Sequence, residues 1–259
     1  MKTRTQVTAT LYPEFHAGHF TRDDQIPMFF GRVHALLEEN MRVLDFGAGR
    51  GAFADSYRDH RYKLDLVTLK GRCKEVVGCD IDDSVRLNRL LDTPVVINPD
   101  EPLPFDDSSF DMVISWAVFE HIEDPTFYAA ELGRLLKPGG WLCAWTPNKY
   151  AYFAVAARII PAKLHRHIVS RLLRDPREDR DIFPTYYRMN TKRTLRRLFP
   201  SPHFEHYSYG FSGTPGYHGN RLFIARAIKF YTALVPECLS AFLHVFIRKT
   251  PVAVKPSRQ

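Results

Sequence analysis

Met41-Arg42-Val43-Leu44-Asp45-Phe46-Gly47-Ala48-Gly49-Arg50-Gly51 reads as a short buried strand entering a glycine loop, and this stretch decides the fold. Val43, Leu44 and Phe46 show no polar alternation, as expected of a strand covered on both faces. Glycines where a strand turns into a helix let the backbone approach a ligand closely. The spacing alone is ambiguous, because Gly47, Gly49 and Ala52 also satisfy the looser dinucleotide fingerprint G-x-G-x-x-A. Asp45 helps to separate the alternatives. A carboxylate immediately ahead of the loop repels a pyrophosphate and attracts a ligand that carries a cation.

Outward from the loop, strand-like runs recur at 75–81, 94–98, 110–116 and 141–147. Ahead of it, Ile26, Phe29, Phe30, Val33, Leu36 and Leu37 follow helical spacing. The helix before the run at 141–147 is well punctuated. Asp124 is a suitable N-cap, Pro125 stands where no N–H is missed, and Lys137-Pro138-Gly139-Gly140 ends it. Alternating strands and helices of this kind predict a parallel sheet covered on both faces. Residues 1–23 read as an irregular arm, and the stretch 62–74 as an unusually long loop. A helix at 191–199, a strand at 204–210 and a last strand at 243–248 complete the pattern.

The run ending Val76-Val77-Gly78-Cys79-Asp80-Ile81-Asp82 places a carboxylate at a strand end, where it can accept ribose hydroxyl protons while Ile81 lies against an adenine. With the glycine loop, this run resembles the first two motifs of class I S-adenosylmethionine (SAM)-dependent methyltransferases. Residues 103–111, Glu120-His121-Ile122-Glu123-Asp124-Pro125 and 135–141 resemble the remaining signature blocks. The flavour is that of the ubiquinone/menaquinone-biosynthesis or type 11 subgroup. Five blocks in the right order are far more specific than one glycine loop. The resemblance spans roughly residues 41–148, and more loosely 184–210.

That resemblance implies an α/β, Rossmann-like, doubly wound and mostly parallel sheet of seven strands with one antiparallel strand and an inserted helical lid. It implies a single domain over 1–259, with an N-terminal arm and helix (1–40), a SAM-binding core (41–148), a substrate or lid insertion (149–188) and a C-terminal part of the sheet (189–259). By position, Asp45, Phe46, Gly47, Ala48, Gly49 and Gly51 would hold the methionine end of SAM. Asp80 and Ile81 would take the ribose and adenine, while Ser115 and Trp116 would line the pocket. Where relatives carry an acid near the adenine amine this chain aligns Pro99, so the neighbouring Asp100 would have to substitute.

Methyl transfer needs a nucleophile held in line with the methyl, and neither a metal nor a covalent intermediate. An oxygen acceptor benefits from a general base, for which His121 is the candidate, a histidine ordinarily titrating close to neutrality. The alternative for His121 is a packing or capping role. Tyr150, Tyr186 and Tyr187 are expected to wall the acceptor pocket and Arg166 to meet an anionic group on it.

Net charge is +7, yet residues 158–197 alone carry +8, with twelve basic and four acidic residues, and the rest of the chain −1. The basicity belongs to one segment. It points to an anionic acceptor or an anionic membrane surface there, or else to a solvated helical face. Cys73, Cys79, Cys143 and Cys238 form no C-x-x-C pair, and no apolar stretch follows the N-terminus as in a secretion signal. A cytoplasmic location is expected, with peripheral contact at the inner face of the membrane as an option. The acceptor is expected to be a small molecule, a glycan or a lipid-linked intermediate, methylated at oxygen, with no metal involved. Nucleic-acid methylation is an alternative, against which stands the lack of an Asn-Pro-Pro-Tyr-type base-flipping motif. A non-catalytic SAM-binding scaffold and an NAD-linked reductase are further alternatives.

Overall fold

The computed structural model describes residues 3–159, 184–216 and 218–251. The helix α1 (Arg4–Leu11) opens the chain, capped by Thr3, whose hydroxyl accepts from the Gln6 N–H while the Gln6 side chain accepts from Thr3. The arm expected to be irregular therefore begins with a helix. A local capping box, rather than an apolar stripe, sets its start. The helix α2 (Gln25–Leu36) follows from an Asp24 cap, with Ile26, Phe29, Phe30 and Val33 buried.

Next come β1 (Arg42–Phe46), α3 (Ala52–Asp55), α4 (Arg61–Val67), β2 (Glu75–Asp80), β3 (Thr93–Val96), β4 (Phe110–Trp116), α5 (Pro125–Leu135), β5 (Leu136–Pro147) and α6 (Tyr152–Ile159). The chain closes with α7 (Lys192–Leu198), β6 (Phe204–His206), β7 (Tyr209–Phe211), α8 (Leu222–Leu234) and β8 (Phe242–Lys249). Two expectations change here. The stretch 62–74 contains most of α4, and 137–140 belongs to β5, which starts immediately after α5.

The strands run in the order β3-β2-β1-β4-β5-β8-β6, with β7 also paired to β8. The first five are mutually parallel and β8 is antiparallel to β5. Eight strands appear where seven are implied because the run at 204–210 is divided. Both pieces keep one register on β8, from Phe204 opposite Lys249 to Phe211 opposite Phe242. Between them the Phe246 N–H donates to the Ser208 hydroxyl at 3.1 Å instead of to a backbone carbonyl. A side chain takes over one rung of the ladder, and the edge strand is interrupted without slipping.

Alternate residues of the central strands feed two cores. Val43, Val76, Met112, Ile114, Cys143 and Phe246 pack with α2, while Leu44, Val77, Val113, Leu142, Ala144 and Val245 pack with α5 and α7. This two-sided burial is the physical content of the doubly wound reading. Among the described residues, no helix is long and apolar enough to cross a membrane.

Arg134 on α5 braces the chain that leads into β4. Its Nε and Nη2 donate to Glu131, at 2.9 and 2.7 Å. The remaining bonds of Nη1 and Nη2 go to the carbonyls of Phe105 and Leu103 and to Asp107, at 2.7–3.0 Å. The five N–H groups of the guanidinium are thus all used. Arg134 holds the Glu131 carboxyl below its ordinary range, chiefly through the side-chain hydrogen bond. Arg134→Leu strands the nearly buried Glu131 and should cost about 2–3 kcal/mol in denaturant unfolding, less than breaking a fully buried pair. Because the Glu131 pKa is depressed, this contribution is present above the ordinary glutamate range and is lost as pH falls through the folded value. A variant as stable as the parent near neutrality would refute it.

Candidate functional site

The carboxyl ends of β1 and β2 converge on the glycine loop. The Cys79 carbonyl accepts the N–H of Gly47 at 2.8 Å and that of Ala48 at 3.1 Å. Two N–H groups on one carbonyl force the chain to bend sharply as it leaves β1. Gly47 takes φ +76°, and a Cβ there would come within 2.3 Å of Val118. Only glycine suits that position. Gly49 differs. At φ +50°, it has nothing within 4 Å of where a Cβ would stand, so its outer face is open space.

Asp80 at the end of β2 ties these parts together. One of its carboxylate oxygens accepts the Gly49 N–H at 2.8 Å and the other the Asp82 N–H at 2.9 Å. Each oxygen retains a second lone pair, enough to take a hydroxyl as well. Ile81 is 49% exposed beside it, a solvent-facing apolar side chain next to a polar turn. Asp100 is exposed in the turn after β3, its N–H donating to Asn98 at 3.2 Å.

Asp45 is the electrostatic centre of the site. Burial pushes its carboxyl up to about 7, and the neighbouring Asp80 carboxylate adds to the shift. A carboxyl in this state gains from a cationic neighbour. Gly51 caps α3, and Phe46 is buried with its ring 5.5 Å from that of Tyr128. These two, like Ala48, shape the loop.

Ser115 and Trp116, expected to line the pocket, are each engaged by the protein itself. Ser115 is buried and its Oγ donates to the Phe46 carbonyl at 3.0 Å, tying β4 to β1 beneath the loop. Trp116 is stacked on Trp145 with centroids 4.4 Å apart and on Phe30 at 5.5 Å. Its ring belongs to an aromatic layer under α2.

Sequence reasoning passed over Asn88, which is buried in the turn after β2. Its Nδ2 donates to the carbonyls of Ala48 at 3.0 Å and Gly49 at 3.2 Å, and its Oδ1 accepts the Leu90 N–H at 3.0 Å. It clamps the glycine loop from outside. The available signal was weak: an asparagine in a polar turn, with nothing local to mark a partner 40 residues upstream.

Beyond β4 the chain forms a short tight turn, Phe119–His121. Val118 at its start is the side chain that meets Gly47, which places this turn against the loop. The segment returning from the insertion docks on it. The N–H groups of Tyr186 and Tyr187 donate to the Glu120 carbonyl at 2.7 and 3.2 Å, and the Pro184 carbonyl lies 2.7 Å from His121 Nδ1. Glu120 is buried, with its Oε2 accepting from Thr146 Oγ1 at 3.0 Å. Thr146 Oγ1 in turn accepts from Asn190 Nδ2 at 2.6 Å. Tyr150 is 49% exposed just past β5, whereas Arg166 lies outside the described residues. The structure therefore brings Tyr186, Tyr187 and His121 to one turn.

The methyltransferase domain family matches residues 22–206. The chain is 33% identical over 140 residues to a ubiquinone/menaquinone biosynthesis C-methyltransferase of Laribacter hongkongensis, covering 49% of this chain and 54% of that protein. It is 29% identical over 151 residues to a ubiquinone biosynthesis O-methyltransferase of Xanthomonas oryzae pv. oryzae, covering 54% of this chain and 61% of the relative. The matched stretch thus spans little more than half the length of these relatives. A SAM-dependent methyltransferase structure from Methanosarcina mazei superposes with a TM-score of 0.51 at 20% identity, covering 88% of this chain and 100% of that one, and shares the fold.

Two outcomes follow from this geometry. Asn88→Ala removes both bonds to the loop carbonyls and should weaken SAM binding by about tenfold in calorimetry, the net worth of one to two hydrogen bonds. Unchanged affinity would mean the loop holds its shape without the clamp. The raised Asp45 pKa sets a pH dependence. A cationic ligand favours the ionised carboxylate, so binding releases a proton and affinity should rise several-fold between about pH 6 and about pH 7.5. Asp45→Asn should flatten that slope, and a slope that survives the substitution would assign it to another group.

Proposed function

This chain belongs to the methyltransferase domain family of SAM-dependent enzymes, and from that membership we propose that it methylates an oxygen of a small acceptor, glycan or lipid-linked intermediate, with His121 as general base. SAM as the cofactor follows from the family; the small-molecule type of acceptor, the oxygen and the base are the proposal.

The residues present suit SAM. Asp45 offers a carboxyl whose ionised form a nearby cation would favour, Gly49 opens the loop backbone to a ligand, Asp80 keeps acceptor capacity for hydroxyls, and Ile81 offers an exposed apolar surface for a base. When bound, SAM supplies an electrophilic methyl group on a positively charged sulfur.

The observation that carries the general-base reading is the bond between His121 Nδ1 and the Pro184 carbonyl. A carbonyl can only accept, so in the neutral ring Nδ1 holds the hydrogen and Nε2 keeps its lone pair. Nε2 can then take the proton of an acceptor hydroxyl. The Glu120 carboxylate, 4.0 Å from Nε2, stabilises the imidazolium so formed. Tyr186 and Tyr187, held by the Glu120 carbonyl, set the acceptor beside His121, with Tyr150 as a further wall. In this reading Arg166 and its basic neighbours meet an anionic group on the acceptor.

His121→Asn retains an N–H that can reach the Pro184 carbonyl and removes the base. It should lower kcat by about 100-fold while SAM affinity stays within about twofold. Near-normal turnover in a folded variant would leave His121 a brace for the 184–190 segment and nothing more.

A further inference from the structure

The helix α8 is amphipathic in an unusual sense: its outward side is the apolar one. Within it only Ala225 is buried, and the helix contains no acidic residue. On the opposite side from Ala225, Phe223 is 68% exposed, Phe230 69% and Leu234 67%, with exposed Ala227 between them. Their spacing of seven and four residues puts them on one stripe. The inner side is secured by α1, since Lys229 Nζ donates to the Leu11 carbonyl at 3.1 Å and sits 3.7 Å above the Tyr12 ring.

One flank of the stripe is cationic and the other apolar. Arg226 borders it and Arg221 stands at its N-terminal end, both exposed. On the other flank an apolar groove of about 320 Å³ runs between α8 and α6, lined by Tyr152, Ile224, Ile228 and Tyr231 together with stripe residues. A row of ring contacts joins this groove to the end of β4: Trp116 to Trp145 at 4.4 Å, Trp145 to Phe242 at 4.7 Å, Phe242 to Phe153 at 5.5 Å, Phe153 to Tyr152 at 5.2 Å and Tyr152 to Tyr231 at 5.9 Å. The exposed face is therefore continuous with the end of the sheet that carries the site.

We propose that the outer face of α8, with the groove beside it, docks on an anionic lipid bilayer. Aromatic and leucine side chains with basic residues at their border, and no acid within the helix, are the composition of a helix that lies in a membrane interface. Hydrocarbon receives Phe223, Phe230 and Leu234, while lipid phosphates receive Arg221 and Arg226. A second copy of the chain is the poorer occupant, because a twofold contact sets this face against itself and brings Arg226 towards the same basic flank of its mate. Docking rests on the proposed function only for its purpose, the delivery of an acceptor with an apolar portion, and not for its physics.

The test is co-sedimentation of the full chain with vesicles of phosphatidylcholine alone and of an equal mixture of phosphatidylcholine and phosphatidylglycerol. The parent should sediment with the anionic vesicles and only weakly with the neutral ones. Phe223→Ser/Phe230→Ser/Leu234→Ser should reduce partitioning by at least about tenfold. Arg221→Gln/Arg226→Gln should reduce it by about fivefold per charge on anionic vesicles and leave the neutral ones unaffected. SAM affinity equal to that of the parent certifies the fold of both variants. Parent protein that ignores anionic vesicles overturns the proposal. So does a serine variant that binds them normally, which would assign binding to another surface, or a parent dimer that the serine variant splits. Turnover of a water-soluble acceptor without vesicles tests the methyl-transfer reading separately, so each can fail alone.

Discussion

One carbonyl governs the site. Cys79 O accepts the N–H groups of both Gly47 and Ala48, and to satisfy them the chain leaving β1 must fold over the end of β2. Everything above the sheet is arranged around that bend. Gly47 must lack a side chain because Val118 occupies the space, and Val118 in turn brings the Phe119–His121 turn against the loop. Asp80 and Asn88 then fix the loop from two sides, one through an N–H and the other through carbonyls. Loop, strand end and turn are thus over-determined, as preorganised binding of a flexible ligand requires.

This arrangement has an electrostatic cost that the ligand relieves. Asp45 and Asp80 stand close enough to repel, and the Asp45 carboxyl is raised to about 7 by burial and then by its neighbour. A carboxyl whose folded pKa exceeds its unfolded value destabilises the empty protein progressively as pH rises from the ordinary carboxylate range through about 7. A cation beside the pair reverses the sign. The tension is local and lies where function demands it, while the surrounding strands follow ordinary packing rules.

The segment 184–190 joins the two halves of the proposed chemistry. It supplies backbone partners to Glu120 and His121, and its Asn190 side chain reaches Thr146 on β5. Here sequence reading was half-sighted. The block around Tyr186 and Tyr187 stood out as aromatic, but no pattern within it says that Pro184 offers its carbonyl to a histidine 63 residues earlier. Asn88 escaped for the same reason, since a side-chain amide carries no periodicity.

By itself the sequence determined the strands and their two-sided burial, because unbroken apolar runs can only be buried from both faces, and the order of those runs with their glycine loop restricts the topology. The cofactor class was legible only through the five ordered blocks that resemble class I methyltransferases, with Asp45 ahead of the loop favouring a ligand that carries a cation. Only the tertiary structure decided which side chains near the loop are engaged by the protein itself. Ser115 is spent on the Phe46 carbonyl and Trp116 on Trp145, although both occupy the strand end that borders the site. It also decided that the edge strand breaks at Ser208 and that the apolar stripe of α8 points outward. Hydrophobic pattern sets which residues avoid water on average, whereas hydrogen-bond partners and the direction of a face depend on neighbours far away in the chain.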